Sequence, residues 1–319
     1  MNLVQAVVSG LKCAMSEDKS VVVLGEDVGL NGGVFRTTDG LQKQFGPERV
    51  MDTPLAESGI VGVAIGMAAA GLRPVAEIQF AGFLYMALDQ IINHAARLRN
   101  RSRGAFTCPL VVRTPYGGGI RALEHHSDSM EAMFVHIPGV KVVIPSSPYD
   151  AKGLLISSIR DGDPVIFMEP SRLYRAIKED VPEESYTIPL GKAKIVKEGS
   201  AVTVISWGSM LQQTKLALSH TGVDVELIDL RTLKPLDTDT IINSVKKTGR
   251  CVIVQEAPKT GGFASEIIAL INDKALLALK APVVRVTGFD TIFPLYKLEE
   301  HYLPSTERIV AAIETVAKF

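Results

Sequence analysis

Residues 52–71 read DTPLAESGIVGVAIGMAAAG, and Glu57 is the one ionisable side chain among the small and apolar residues that follow Asp52. Thr53 can cap a helix, and Pro54 suits its first position, where no backbone donor is needed and φ is already fixed. Glu57 then falls about one turn in, one residue beyond the place a capping box would use. Gly59, Gly62 and Gly66 recur at spacings of three and four, which puts a glycine stripe along one helix face. Each glycine costs about 1 kcal/mol in a helix interior, so close approach of another backbone is the physical reason to keep them. The plainer alternative is a tightly packed core helix whose glutamate suits the helix dipole.

Outward from this helix, apolar strand-like runs alternate with helical patterns. Val21–Leu24 ends at Gly25-Glu26-Asp27, and Arg73–Phe80, Pro109–Arg113, Val140–Pro145 and Pro164–Met168 follow. Continuous apolar runs, rather than strict alternation, predict strands covered on both faces and hence a mainly parallel sheet between helices. Residues 170–190 (PSRLYRAIKEDVPEESYTIPL) break the rhythm with three prolines and a charge cluster. A second series then runs through Val202–Ser206, Val223–Leu230, Cys251–Gln255 and Pro282–Thr287. The chain reads as two α/β domains in series, 1–178 and 192–319, joined by a linker at 179–191.

Composition narrows the function. The 319 residues are 46% hydrophobic and 22% charged, with net charge −1. That balance gives no basic surface for nucleic acid. Cys13, Cys108 and Cys251 are odd in number and far apart, which supports neither a disulfide framework nor a zinc site. The N-terminal MNLVQAVVSGLKCAM has helical spacing rather than the build of a signal peptide, and Ser58–Leu72 is too short a charge-free run to span a bilayer. A cytoplasmic protein is expected.

Common α/β motifs are missing: no GxGxxG, GxxxxGK[ST], GxSxG or HExxH occurs. Besides the Glu57 helix, two constellations carry chemistry. Glu124-His125-His126-Ser127-Asp128 follows a loop, Tyr116-Gly-Gly-Gly-Ile120, which is expected to be flexible. One of these histidines suits acid–base work near neutral pH; a transition-metal site lacks a third ligand at helical spacing, and a solvated surface pair is the alternative. Ala76–Phe83 (AEIQFAGF) marks the end of a strand, where parallel sheets place ligands, and Phe83 there is either a stacking surface or core. Trp207 reads as packing.

Together these stretches resemble thiamine-diphosphate enzymes, in which a glutamate, a gap of four and a glycine-spaced apolar helix recur, here Glu57 to Gly62-Val-Ala-Ile-Gly66. GEDVG (25–29), GGVFRTTDGL (32–41), DTPLAESG (52–59), GLRPVAEIQFA (71–81), GVKVVIP (139–145), PYDAKGLL (148–155), VPEESYTIPLG (181–191) and EAPKTGGFASEI (256–267) look like the β subunit of 2-oxoacid dehydrogenases. The resemblance covers nearly the whole chain. It is most similar to the branched-chain type, with the pyruvate or acetoin type as the alternative. The fold it implies is a parallel-sheet pyrimidine-binding domain followed by a transketolase-C-like α/β domain.

In that family a glutamate at the position of Glu57 bonds the aminopyrimidine ring and favours the imino tautomer that activates the thiazolium carbon. By resemblance, Glu26, Leu55, Ala56 and Gln79 line the pyrimidine pocket, and Phe83 stacks where the branched-chain type often has tyrosine. His126, rather than His125, matches the family's active-site histidine and would donate a proton during lipoyl acylation. Leu84, Tyr85 and Met86, together with Phe83 and His126, would shape the acyl pocket. Leu110, Val111, Ser158, Asp161 and Asp163 match ligands of a structural potassium ion, with Asp163 standing where asparagine is common.

The family holds the cofactor's diphosphate through magnesium on a GDG motif followed by paired asparagines. Asp161-Gly162-Asp163-Pro164 is not that motif, and no Asn-Asn pair occurs. The resemblance therefore implies half a site, with an α subunit supplying the magnesium end in an α2β2 heterotetramer. The glycine stripe would pack against its counterpart across a two-fold axis. The second domain would dock the peripheral binding domain of a dihydrolipoyl acyltransferase core, whose lipoyl domain accepts the acyl group. A transketolase-like sugar-phosphate enzyme would need a basic cluster near the site, and a scaffold that had lost the chemistry would not need Glu57, His126 and Phe83.

Overall fold

A computed structural model describes all residues, 1–319. Twelve strands run in chain order: β1 Val21–Gly25, β2 Val50–Asp52, β3 Arg73–Glu77, β4 Val111–Tyr116, β5 Lys141–Val143, β6 Val165–Pro170, β7 Lys194–Lys197, β8 Val202–Ser206, β9 Val225–Asp229, β10 Thr232–Lys234, β11 Cys251–Val254 and β12 Val284–Val286. They form a seven-stranded sheet, β10-β5-β6-β4-β3-β1-β2, and a five-stranded sheet, β12-β11-β8-β9-β7. Only β10 against β5 and β7 against β9 are antiparallel.

The apolar runs are explained by two cores on opposite faces of the first sheet. Val142 and Ile166 face one core, while their neighbours Val143 and Phe167 face the other. Successive strand residues point to opposite faces, so a sheet covered on both sides needs apolar residues at every position. Helix Leu3–Glu17, capped by Asn2 and Gln5, packs with helix Pro148–Arg160 on one of those faces.

The two domains are less separate than the sequence suggests. β10 lies after the linker, yet it pairs with β5 at the edge of the first sheet. One core cluster runs from Leu24 and Val112 through Trp207 to Ile271, so it spans both halves. The linker itself is bound down: Lys152 Nζ donates to the carbonyls of Pro182 and Glu183 at 2.5 and 2.8 Å. No helix is long and apolar enough to cross a membrane.

The opening helix runs Glu57–Ala69, with Ala56 rather than Thr53 at its N-cap. Thr53 and Pro54 therefore lie outside it, and Glu57 is its first residue instead of sitting one turn in. Ile60, Val61, Ala64 and Ala68 form its buried face. Gly59 and Gly66 point outward, and a Cβ at Gly66 would meet no atom within 4 Å. Gly59 and Gly66 thus lie on the side opposite the one packed on the sheet, while Gly62 between them is half-buried, with a Cβ there 3.4 Å from Gln90 Oε1.

Candidate active site

The site forms where β1 and β3 end side by side. Gly25, at φ +156°, lets the two strands meet closely, because a Cβ there would lie 2.6 Å from the Glu77 carbonyl oxygen. The next residue, Glu26, is buried, and the start of helix Glu57–Ala69 brings the buried Glu57 beside it. Burial raises the Glu26 pKa, and the charges of Glu57 and Asp27 push it further the same way. The raised pKa makes Glu26 easier to protonate than an ordinary glutamate, because burial and like charge both disfavour its ionised form. Gln79 Nε2 donates to Asp27 Oδ2 at 3.3 Å, so Gln79 joins the same edge. Leu55, 79% exposed, and the exposed Ala56 form the outer rim.

A 3-10 helix, Ala81–Ala87, builds the adjoining wall. Its three-residue repeat stacks Ala81, Leu84 and Ala87 on one face, and all three are buried. Leu84 is therefore packed in the core, whereas the resemblance has it shape the acyl pocket. Tyr85 and Met86 point outward as expected for lining residues. Burial and the nearby Asp128 push the Tyr85 phenol up to about 12. Ser58 donates to the Met86 carbonyl oxygen, which ties this wall to the Glu57 helix.

His126 sits against an aromatic cluster. Its ring lies flat on Phe80, with centroids 3.7 Å apart and planes at 10°, and meets Phe83 edge-on at 5.4 Å. Nδ1 is buried without a hydrogen-bond partner. Burial lowers the His126 pKa and the neighbouring His125 lowers it further, while the His125 backbone and Glu124 act in the opposite sense. The result is a more acidic imidazolium, suited to giving up a proton. Phe80 was not among the expected site residues. The Phe80–Phe83 spacing of three, at the mouth of a 3-10 helix, is the signal that could have found it.

The glycines before this histidine are held rather than flexible. A Cβ at Gly117, Gly118 or Gly119 would lie 2.6, 2.1 and 2.7 Å from Glu256, Phe293 and Arg172 respectively. Gly82 is similarly constrained, since a Cβ there would lie 2.1 Å from the His125 carbonyl oxygen.

The expected potassium ligands gather where helix Pro148–Arg160 turns into β6, beside the start of β4, and their oxygens have partners. Asp161 pairs with Lys141 at 2.5 Å and Asp163 with Arg99 at 2.7 Å. The Asp161 carbonyl accepts from Arg73, those of Leu110 and Ser158 from Val165 and Asp161, and Val111 lies within β4. Protein cations thus already answer both carboxylate charges. Nowhere do three His, Cys, Asp or Glu side chains converge as a metal site. Glu26, Asp27 and Glu57 make the pyrimidine end acidic. Such a site fits an aminopyrimidine that both donates and accepts, and repels a diphosphate.

The family described as "Transketolase, pyrimidine binding domain" matches residues 1–177, and "Transketolase, C-terminal domain" matches 191–309. "Pyruvate dehydrogenase E1 component subunit beta" of Acholeplasma laidlawii is 54% identical, covering 100% of this chain and 98% of that one. The protein of the same name from Bacillus subtilis (strain 168) is 51% identical, covering 100% and 99%. The chain belongs to the E1 β-subunit family of 2-oxoacid dehydrogenases. A solved "Split gene transketolase, inactive beta4 tetramer" shares the fold, with TM-score 0.82 at 22% identity over 100% of this chain and 98% of that one. These E1 β relatives carry the pyruvate name, the alternative to the branched-chain type that the short segments favoured.

Proposed function

We propose that this chain is the β subunit of a pyruvate dehydrogenase E1 component, active with an α subunit in an α2β2 heterotetramer in the cytoplasm. What carries this reading is a chain about half identical to proteins named for pyruvate that keeps Glu57 next to Glu26 and a His126 stacked on Phe80. Bound thiamine diphosphate would supply the nucleophilic carbon and electron sink for decarboxylation. Glu57 would accept a hydrogen bond from its pyrimidine ring, and Glu26, Gln79, Leu55 and Ala56 would line that end of the cofactor. Magnesium and the diphosphate belong to the α subunit.

The overall reaction joins a 2-oxoacid, a lipoyl disulfide and one proton to give carbon dioxide and an S-acyl dihydrolipoyl group. The disulfide is reduced as the acyl carbon is oxidised, and the proton caps the leaving sulfur. His126 is placed to deliver that proton, while Phe83, Tyr85 and Met86 border the acyl group. The open glycine face of helix Glu57–Ala69 suits a neighbouring subunit at close range. The C-terminal domain docks the acyltransferase core.

Turnover of the complex reconstituted with its α subunit, measured on pyruvate, 2-oxoisovalerate, 2-oxoisocaproate and 2-oxo-3-methylvalerate, tests the reading. Pyruvate is expected to give the highest kcat/KM; a preference for 2-oxoisovalerate would return the chain to the branched-chain type, and no turnover of any would reject the function.

A further inference from the structure

The C-terminal domain reaches the histidine loop through one buried carboxylate. Glu256 follows β11, at the end of the second sheet, and is almost fully buried. Its Oε1 accepts the Gly118 N–H at 2.5 Å, and its Oε2 accepts the Ser209 hydroxyl at 2.6 Å. Gly118 opens the segment that runs to His125 and His126, and the Gly117 N–H closes the base of that segment onto the Asp128 carbonyl at 3.0 Å. Two more groups of the C-terminal domain lie along the same segment: Phe293 against Gly118, and Glu299, which accepts the Arg121 N–H at 3.3 Å.

Such an arrangement is costly unless it holds something in place. A buried carboxylate is expensive, and its hydrogen bonds to a backbone N–H and a hydroxyl offset that cost only while the loop stays put. Gly117 and Gly119, at φ +77° and +85°, adopt backbone conformations that bring the chain tight against Glu256 and Arg172. The far end of the loop has little freedom either, because His126 is stacked on Phe80 and the His125 carbonyl presses on Gly82. A shift at Gly118 is therefore passed to the imidazole.

We propose that Glu256 is a positioning residue for His126: from the C-terminal domain it fixes the 117–128 loop and so sets the imidazole where the lipoyl sulfur departs. This rests on the function proposed above, and it gives the second domain a part in the chemistry beyond assembly and docking.

The test uses Glu256→Ala and Glu256→Gln, each reconstituted with the α subunit. Two rates are compared: reductive acylation of a lipoyl domain, and decarboxylation read with ferricyanide, which needs no lipoyl proton. Glu256→Ala is expected to slow acylation on the order of 10- to 100-fold, the scale of a displaced catalytic group, while the ferricyanide rate changes less than twofold. Glu256→Gln keeps an acceptor for Gly118 and should restore most of the acylation rate. Equal loss in both assays, no loss in either, or no rescue by glutamine would overturn the proposal. Hydrogen exchange across 117–128 gives a readout independent of activity: it should rise in Glu256→Ala and stay near the parent value in Glu256→Gln. If the parent complex turned over no 2-oxoacid, the functional reading would fall, and unchanged exchange in Glu256→Ala would separately overturn the clamp.

Discussion

The His126 imidazole lies face to face on the Phe80 ring, 3.7 Å between centroids, with Nδ1 buried and unpartnered. This contact covers one face of the half-buried imidazole, and burial is the largest cause of its lowered pKa. Replacing the ring with a methyl in Phe80→Ala should let water in and move the titration midpoint upward, toward the ordinary value of about 6.5. Histidine NMR across pH 4–9 (about) reads the shift, and an unchanged or lower midpoint would rule out desolvation by Phe80.

The same shift has a sign for stability. A histidine with a lowered pKa in the folded chain binds its proton better when unfolded. Its favourable contribution is present above the unfolded pKa and is lost as pH falls through that value toward the folded one. Urea midpoints of the parent should fall on acidification through this window by more than those of His126→Gln. Parallel curves would contradict the assignment.

Gly82 has no room for a side chain, because a Cβ would lie 2.1 Å from the His125 carbonyl oxygen. Gly82→Ala should push the histidine loop off the Phe80 wall and lower lipoyl acylation about 100-fold, the cost of roughly an ångström of misplacement. Far-UV circular dichroism should stay at the parent value. An alanine variant with parental acylation would show that the loop tolerates displacement.

Arg113, on the central strand β4 of the first sheet, is buried and paired with Glu169 at 2.7 and 3.1 Å and with Glu77 at 2.9 Å. Removing it strands two buried carboxylates. Arg113→Met should therefore lower unfolding free energy by about 3–5 kcal/mol, read from urea denaturation. A change within about 0.5 kcal/mol, ordinary for a surface site, would refute the role of the triad.

Much of this arrangement was readable from residues alone. The paired apolar positions of Val142-Val143 and Ile166-Phe167 announced strands covered on both faces, and Trp207 is indeed packing, edge-on to Phe263 at 5.9 Å. Three short strands outside the apolar runs were not readable: β2 and β10 have three residues each, and β7 is largely exposed and carries lysines at both ends. A run so short has no period, and its pairing is set by distant partners such as β5. The start of the Glu57 helix was misjudged because Thr53 and Pro54 satisfy local rules that the tertiary fold does not use. The inward direction of Leu84 was not readable, because a 3-10 repeat, not an α-helical one, decides which residues of 81–87 face inward. Phe80 and Glu256 owe their importance to contacts across 46 and 138 residues of chain, which no local pattern reveals.

The acidic pyrimidine end predicts a site completed elsewhere. Calorimetry of the purified chain alone with thiamine diphosphate and magnesium should show no binding above background, and mixing with the α subunit should create it. Tight binding to the chain alone would refute the shared site.

The central claim is that Glu57 activates the cofactor. It is tested most directly by Glu57→Gln in the complex reconstituted with the α subunit, with decarboxylation of pyruvate followed through an artificial electron acceptor. The amide keeps the size of the side chain and removes the charge. The expected loss is at least about 100-fold in kcat, in line with removing a group that acts on a proton in the rate-determining sequence. Decarboxylation at the parental rate would contradict it.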